Sequence, residues 1–76
     1  MSFIEAKMAE APWYLKLKIL RVMNGLTMNE AADLCCTDKS IYCNWENGKF
    51  FPRRNSIRAI QRAFNLSDEA IKEIFG

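Results

Sequence analysis

The sequence predicts an all-α domain, a compact bundle of five short helices. Apolar residues recur at i, i+3 and i+4 rather than at alternate positions, which is the helical period. Capping residues and glycine stops punctuate the chain at short intervals. The 76 residues, 50% hydrophobic and 26% charged, have the balance of one folded domain without room for a second core. A chain of this length buries only about 60–65% of its unfolded surface, so its stability margin is thin.

Residues 1–11 read as an N-terminal arm or a short amphipathic helix through Phe3, Ile4 and Met8, and the domain proper runs over 12–76. Pro12 suits a helix start. Trp13, Leu17, Leu20 and Asn24 then share one face until Gly25 stops the helix. Thr27-Met28-Asn29-Glu30 is a capping-box pattern, opening a second helix from Met28 to about Cys35. Asp38 is placed to cap a third helix, Lys39 to Asn47, which Gly48 ends. Residues 50–54, FFPRR, read as a connection. Asn55 or Ser56 opens a fourth helix through Phe64, with Ile57, Ile60, Ala63 and Phe64 on one stripe. Ser67 caps the fifth, placing Asp68 and Glu69 where the helix dipole favours anions and Ala70, Ile71 and Ile74 inward.

Composition removes several functions. A structural zinc site needs about four Cys or His ligands in paired clusters, whereas this chain has three cysteines, at 35, 36 and 43, and no histidine. A disulfide between adjacent Cys35 and Cys36 is strained, and small buried cysteines are ordinary core residues. The opening MSFIEAKMAEAPW carries Glu5 and Glu10 and lacks the apolar core of a secretory signal. No stretch approaches the ~18 apolar residues of a membrane span. The expected compartment is the cytoplasm, with no membrane, metal, cofactor or small-molecule ligand. No nucleophile–base pair and no glycine-rich phosphate loop suggests itself, so an enzyme is not expected.

Charge points elsewhere. Residues 1–38 hold four Lys/Arg and five Asp/Glu, while residues 39–76 hold seven and four. Between 47 and 66 the charged side chains are Lys49, Arg53, Arg54, Arg58 and Arg62, with no acid among them. A one-sided basic segment suits a polyanion, although Arg58 and Arg62 also read as a solvated helix face.

The second and third helices are joined only by Cys36-Thr37-Asp38, the tight connection of a helix-turn-helix spanning about residues 28–47. Counting Met28 as the first position, the fourth and fifth are Ala31 and Ala32, small where two helices cross closely. Cys35, Thr37, Tyr42 and Trp45 occupy further core-facing positions. The run LTMNEAADLCCTDKSIYCNWENGKFFP resembles, without a gap, the phage repressor and Cro-like family, the xenobiotic-response-element class of bacterial regulators. The matching residues are Leu26, Thr27, Glu30, Ala32, Ser40, Trp45, Glu46, Gly48 and Pro52. AIQRAFNLSDEAIKEIF is similar to the family's closing helices. Two positions depart. Cys36 replaces a glycine of the turn, at a cost of about 1–2 kcal/mol if its φ is positive. Met28 replaces a glutamine that makes a polar contact.

The resemblance implies a lambda-repressor-like DNA-binding domain whose third helix enters the major groove of double-stranded DNA. It also implies an ion pair between Arg21 and Glu46. With Tyr42 and Trp45 inward, the outer face carries Lys39, Ser40, Cys43, Asn44 and Asn47. Asn44 is suited to adenine, Lys39 to guanine, and Cys43 or Ile41 to a thymine methyl. Phosphate contacts are expected from the backbone amides of Thr27 and Met28, and from Asn47, Lys49, Arg53 and Arg54. A domain this small is expected to bind a palindromic operator as a homodimer. Phe50, Phe51, Ile74 and Phe75 are the candidate seam, one of the first two packing into the core and the other exposed. The likeness implies a transcriptional regulator, most readily a repressor. Two alternatives stand beside it: an excisionase-type winged helix, which needs strands after a G-x-F-P wing, and a degenerate helix-turn-helix that binds protein instead of DNA.

Overall fold

The computed structural model describes residues 11–76; the arm or helix expected over 1–11 lies, apart from Ala11, outside them. Among the described residues there are five helices and no strands: α1 (Trp13–Met23), α2 (Met28–Leu34), α3 (Lys39–Glu46), α4 (Arg54–Phe64) and α5 (Asp68–Phe75). The segment after the G-x-F-P stretch is helical, which removes the winged-helix alternative.

Local chemistry sets most of the boundaries. Glu30 N–H donates to Thr27 Oγ1 at 3.1 Å and Thr27 N–H donates to Glu30 Oε1 at 2.9 Å, completing the capping box of α2. These bonds hold the Glu30 carboxyl below its ordinary range, the Thr27 backbone amide being the main cause. Ala70 N–H donates to Ser67 Oγ at the start of α5. Asp38 sits at the N-cap of α3 in extended backbone, but its side chain makes no capping bond, contrary to expectation. The fourth helix also starts earlier than the sequence suggests, at Arg54 with Arg53 as N-cap and no side-chain cap. Arg53, Arg54 and Asn55 are exposed, so water can satisfy the first amides and no capping side chain is required.

The exits of α1 to α4 share one geometry. Leu26 N–H reaches Arg21 O, Thr37 N–H reaches Ala32 O, Lys49 N–H reaches Asn44 O, and Leu66 N–H reaches Gln61 O. Each is the long bond of a Schellman stop, whose hinge residue is left-handed. Those hinges are Gly25 (φ 69°), Cys36 (φ 56°), Gly48 (φ 73°) and Asn65 (φ 54°). Glycine and asparagine tolerate this backbone; a cysteine pays the steric cost in full.

The core gathers Leu17, Ala31, Ala32, Cys35, Tyr42, Trp45 and Ile60, drawn from α1 to α4, with Trp13, Met28, Ala63, Phe64, Leu66 and Phe75 packed around them. Fully burying Leu17 or Ile60 contributes about 1.5–3 kcal/mol each. Ala31 and Ala32 carry no bulk, so α2 and α3 pack closely. Lys16 Nζ donates to Glu73 O, and Gln61 Nε2 donates to both Leu66 O and Asp68 Oδ1, fastening α5 to the rest.

Candidate nucleic-acid interface

Helix α3 has two unlike faces. Tyr42, Trp45 and Glu46 are buried, while Lys39, Ser40 and Asn47 are exposed and Cys43 and Asn44 half-buried. The 3.6-residue period explains the split, since positions 42, 45 and 46 fall on one side. The outer face therefore presents an ammonium, a hydroxyl, a thiol and two amides. Asn47 Nδ2 donates to Cys43 Sγ at 3.4 Å, one turn back, so these two side chains form a unit. The sequence showed both residues outward but not this bond.

The inner face is held by charge as well as by packing. Arg21 Nε donates to Glu46 Oε2 at 2.7 Å, Nη2 to Oε1 at 3.2 Å, and Nη1 to Leu26 O at 2.8 Å. The Glu46 side chain is only 1% exposed. The structure thus brings together the two residues whose pairing the family likeness implies, and hydrogen bonding to Glu46 raises the already high Arg21 pKa. The Tyr42 hydroxyl is buried in the same region and makes no hydrogen bond. Glu46 acts on it as a nearby negative charge. Burial, aided by that charge, pushes the phenol far above its ordinary pKa.

The three thiols are free and differ in environment: Cys35 is buried, Cys43 half-buried and Cys36 exposed. Burial pushes the Cys35 thiol up to about 11, so it remains protonated at neutral pH and behaves as an apolar core group. No cluster of three or more His, Cys, Asp or Glu side chains able to hold a metal occurs among the described residues.

The phosphate candidates divide. Lys49, Arg53 and Arg54 are exposed beside the end of α3 and the start of α4. Thr27 is not open as expected, because its backbone N–H is committed to Glu30 Oε1 inside the capping box. Met28 at the same helix start is half-buried.

Phe50 and Phe51 are 63% and 52% exposed. Neither enters the core, correcting the expectation that one would. Phe51 instead packs edge-on against Trp13 at 5.0 Å and Phe75 at 5.9 Å between ring centroids. The short chain between Gly48 and the buried Pro52 keeps both rings near the surface. Ile74 and Phe75, at the end of α5, are half-buried.

The helix-turn-helix family model matches residues 17–71, which run from within α1 through α4 to the first half of α5. The chain belongs to the helix-turn-helix family. The matching class is the Cro-like, xenobiotic-response-element type, a family of DNA-binding regulators that are generally not enzymes. No curated protein and no solved structure matches the chain. No helix among the described residues is long and apolar enough to cross a membrane.

Proposed function

We propose that this helix-turn-helix protein is a cytoplasmic, sequence-specific transcriptional repressor that binds a palindromic operator as a homodimer, each copy laying α3 in the major groove. The observation that carries the reading is the division of α3: a buried face fastened by Trp45 and the Glu46–Arg21 pair, and an outer face of hydrogen-bonding groups. Lys39 reads guanine, Asn44 reads adenine, Ser40 accepts either, and Cys43 meets a thymine methyl. Asn47, Lys49, Arg53 and Arg54 grip phosphate and set the register, together with the Met28 amide at the start of α2. Thr27 joins them only if Glu30 releases its amide. The domain proper is residues 12–76. It represses by occupying DNA that polymerase needs.

The test is a titration of fluorescent genomic fragments, including DNA flanking the gene, from about 50 to 300 mM salt. Wild type is expected to select one palindromic fragment, with affinity falling steeply as salt rises. Asn44→Ala should relax sequence preference. Arg53→Ala should weaken every fragment and flatten the salt slope by about one per lost phosphate contact. Weak, unselective retention at low salt would overturn the reading and leave the fold as a protein-binding scaffold.

A further inference from the structure

We infer that Tyr14 is a positioning residue for the DNA-reading helix, acting through its ring rather than its hydroxyl. This rests on the proposed role of α3. Gly48, the left-handed hinge that ends α3, lies flat under the Tyr14 ring: a Cβ built on it would meet Tyr14 Cδ1 at 2.8 Å, Cε1 at 3.0 Å and Cγ at 3.2 Å. Trp13 braces the same ring edge-on, with centroids 5.7 Å apart and planes at 89°. Glycine is therefore required at 48 twice over, for its φ of 73° and for its missing side chain.

Tyr14, Leu17 and Arg21 are spaced i, i+3 and i+7, so they lie along one stripe of α1. Leu17 is buried in the core, and the two flanking residues touch the C-terminal end of α3 at separate points, Tyr14 on Gly48 and Arg21 on Glu46. Seven residues of helix separate the anchors by about 10 Å. Tyr42 and Trp45 hold the middle of α3 in the core, and the two anchors at its C-terminal end set its angle against α1. If the Tyr14 anchor yields by about 1 Å, α3 turns by about 5°, and its far end at Lys39, about 12 Å away, moves by about 1 Å. Hydrogen bonds to base edges tolerate only about half that displacement. Contacts with phosphate depend on charge over a Debye length of about 8–10 Å and do not register it. Loss of the ring should thus cost selectivity without altering the salt dependence.

The full-length chain would be compared as wild type, Tyr14→Phe, Tyr14→Leu and Tyr14→Ala. The probes are the genomic fragment that wild type retains most tightly and a shuffled fragment of equal length, each titrated over the same salt range, with thermal melts confirming folding at the assay temperature. Tyr14→Phe is expected to stay within about twofold of wild type on both probes. Tyr14→Ala should lose roughly tenfold in the ratio of the two affinities, the worth of about one base contact, with an unchanged salt slope. If Tyr14→Ala has melted, Tyr14→Leu, which keeps apolar volume but not the flat ring, is expected to show the same loss. A folded Ala or Leu variant that keeps the wild-type ratio overturns the inference alone. A Tyr14→Phe variant that loses selectivity assigns the effect to the hydroxyl and also overturns it. A wild type that favours neither fragment overturns the DNA-reading role of α3, and this inference with it.

Discussion

Arg21 and Glu46 lie 25 positions apart and meet as a two-point pair, at 2.7 Å and 3.2 Å, that joins α1 to the end of α3. Because the Glu46 side chain is 1% exposed, removing its partner strands a carboxylate out of water. Arg21→Ala is expected to cost about 3–5 kcal/mol, a large fraction of the stability of so small a domain. Arg21→Met combined with Glu46→Leu should cost less than Arg21→Ala alone, since neither charge then remains buried. Urea unfolding of the variants gives both numbers.

Cys36 is the hinge of the helix-turn-helix and holds φ at 56°, where a side chain crowds its own backbone. It is exposed, so replacing it removes little packing. Cys36→Gly should therefore stabilise the fold by about 1 kcal/mol, raising Tm by about 4–8 °C. Cys36→Ala, which keeps the Cβ, should leave Tm nearly unchanged. Equal Tm values for all three proteins would show that the turn relaxes its strain elsewhere.

What could be read from the chain, and what could not, follows the range of the interactions. Thr27 with Glu30, Ser67, Gly25 and Gly48 act within a few residues, and each marks a boundary that the structure contains. The unlike faces of α3 were legible from its period. Asp38 and the start of α4 were not, because whether a side chain or water satisfies a first-turn amide depends on exposure in the folded molecule. The ring of Phe51 against Trp13 and Phe75 joins three distant parts of the chain. The approach of Tyr14 to Gly48 joins residues 34 positions apart, and only the folded structure lays one under the other.

Stability should fall in alkali. Burial holds the Cys35 pKa at about 11 against an ordinary 9.0, and the Tyr42 phenol is raised as well. Between those two values for Cys35 the unfolded chain gives up a proton that the folded chain keeps. The contribution is thus complete below about pH 9 and is lost as pH climbs through about 11. The size for Cys35 is at most about 3 kcal/mol. Urea midpoints measured from pH 8 to 11 should decline, and Cys35→Ala should flatten the decline while lowering the plateau. Tyr42→Phe, which removes a buried hydroxyl without a hydrogen bond, should remove the remaining slope at little or no cost at pH 7.

Phe50 and Phe51 are neighbours with different work, which allows the proposed dimer seam to be separated from folding. Phe51 shares ring contacts with Trp13 and Phe75 inside one copy, whereas Phe50 is 63% exposed. Phe51→Ser should therefore lower the Tm of the chain itself. Phe50→Ser should leave the melt of a dilute sample unchanged and weaken self-association, because a ring that is exposed in one copy becomes buried only when two meet. Sedimentation velocity over a concentration series reads this directly. A dimer constant at least tenfold weaker for Phe50→Ser, with an unshifted dilute melt, places Phe50 in the seam. An unchanged constant moves the seam away from this loop, to the end of α5, where Ile74→Ser is then expected to carry the loss.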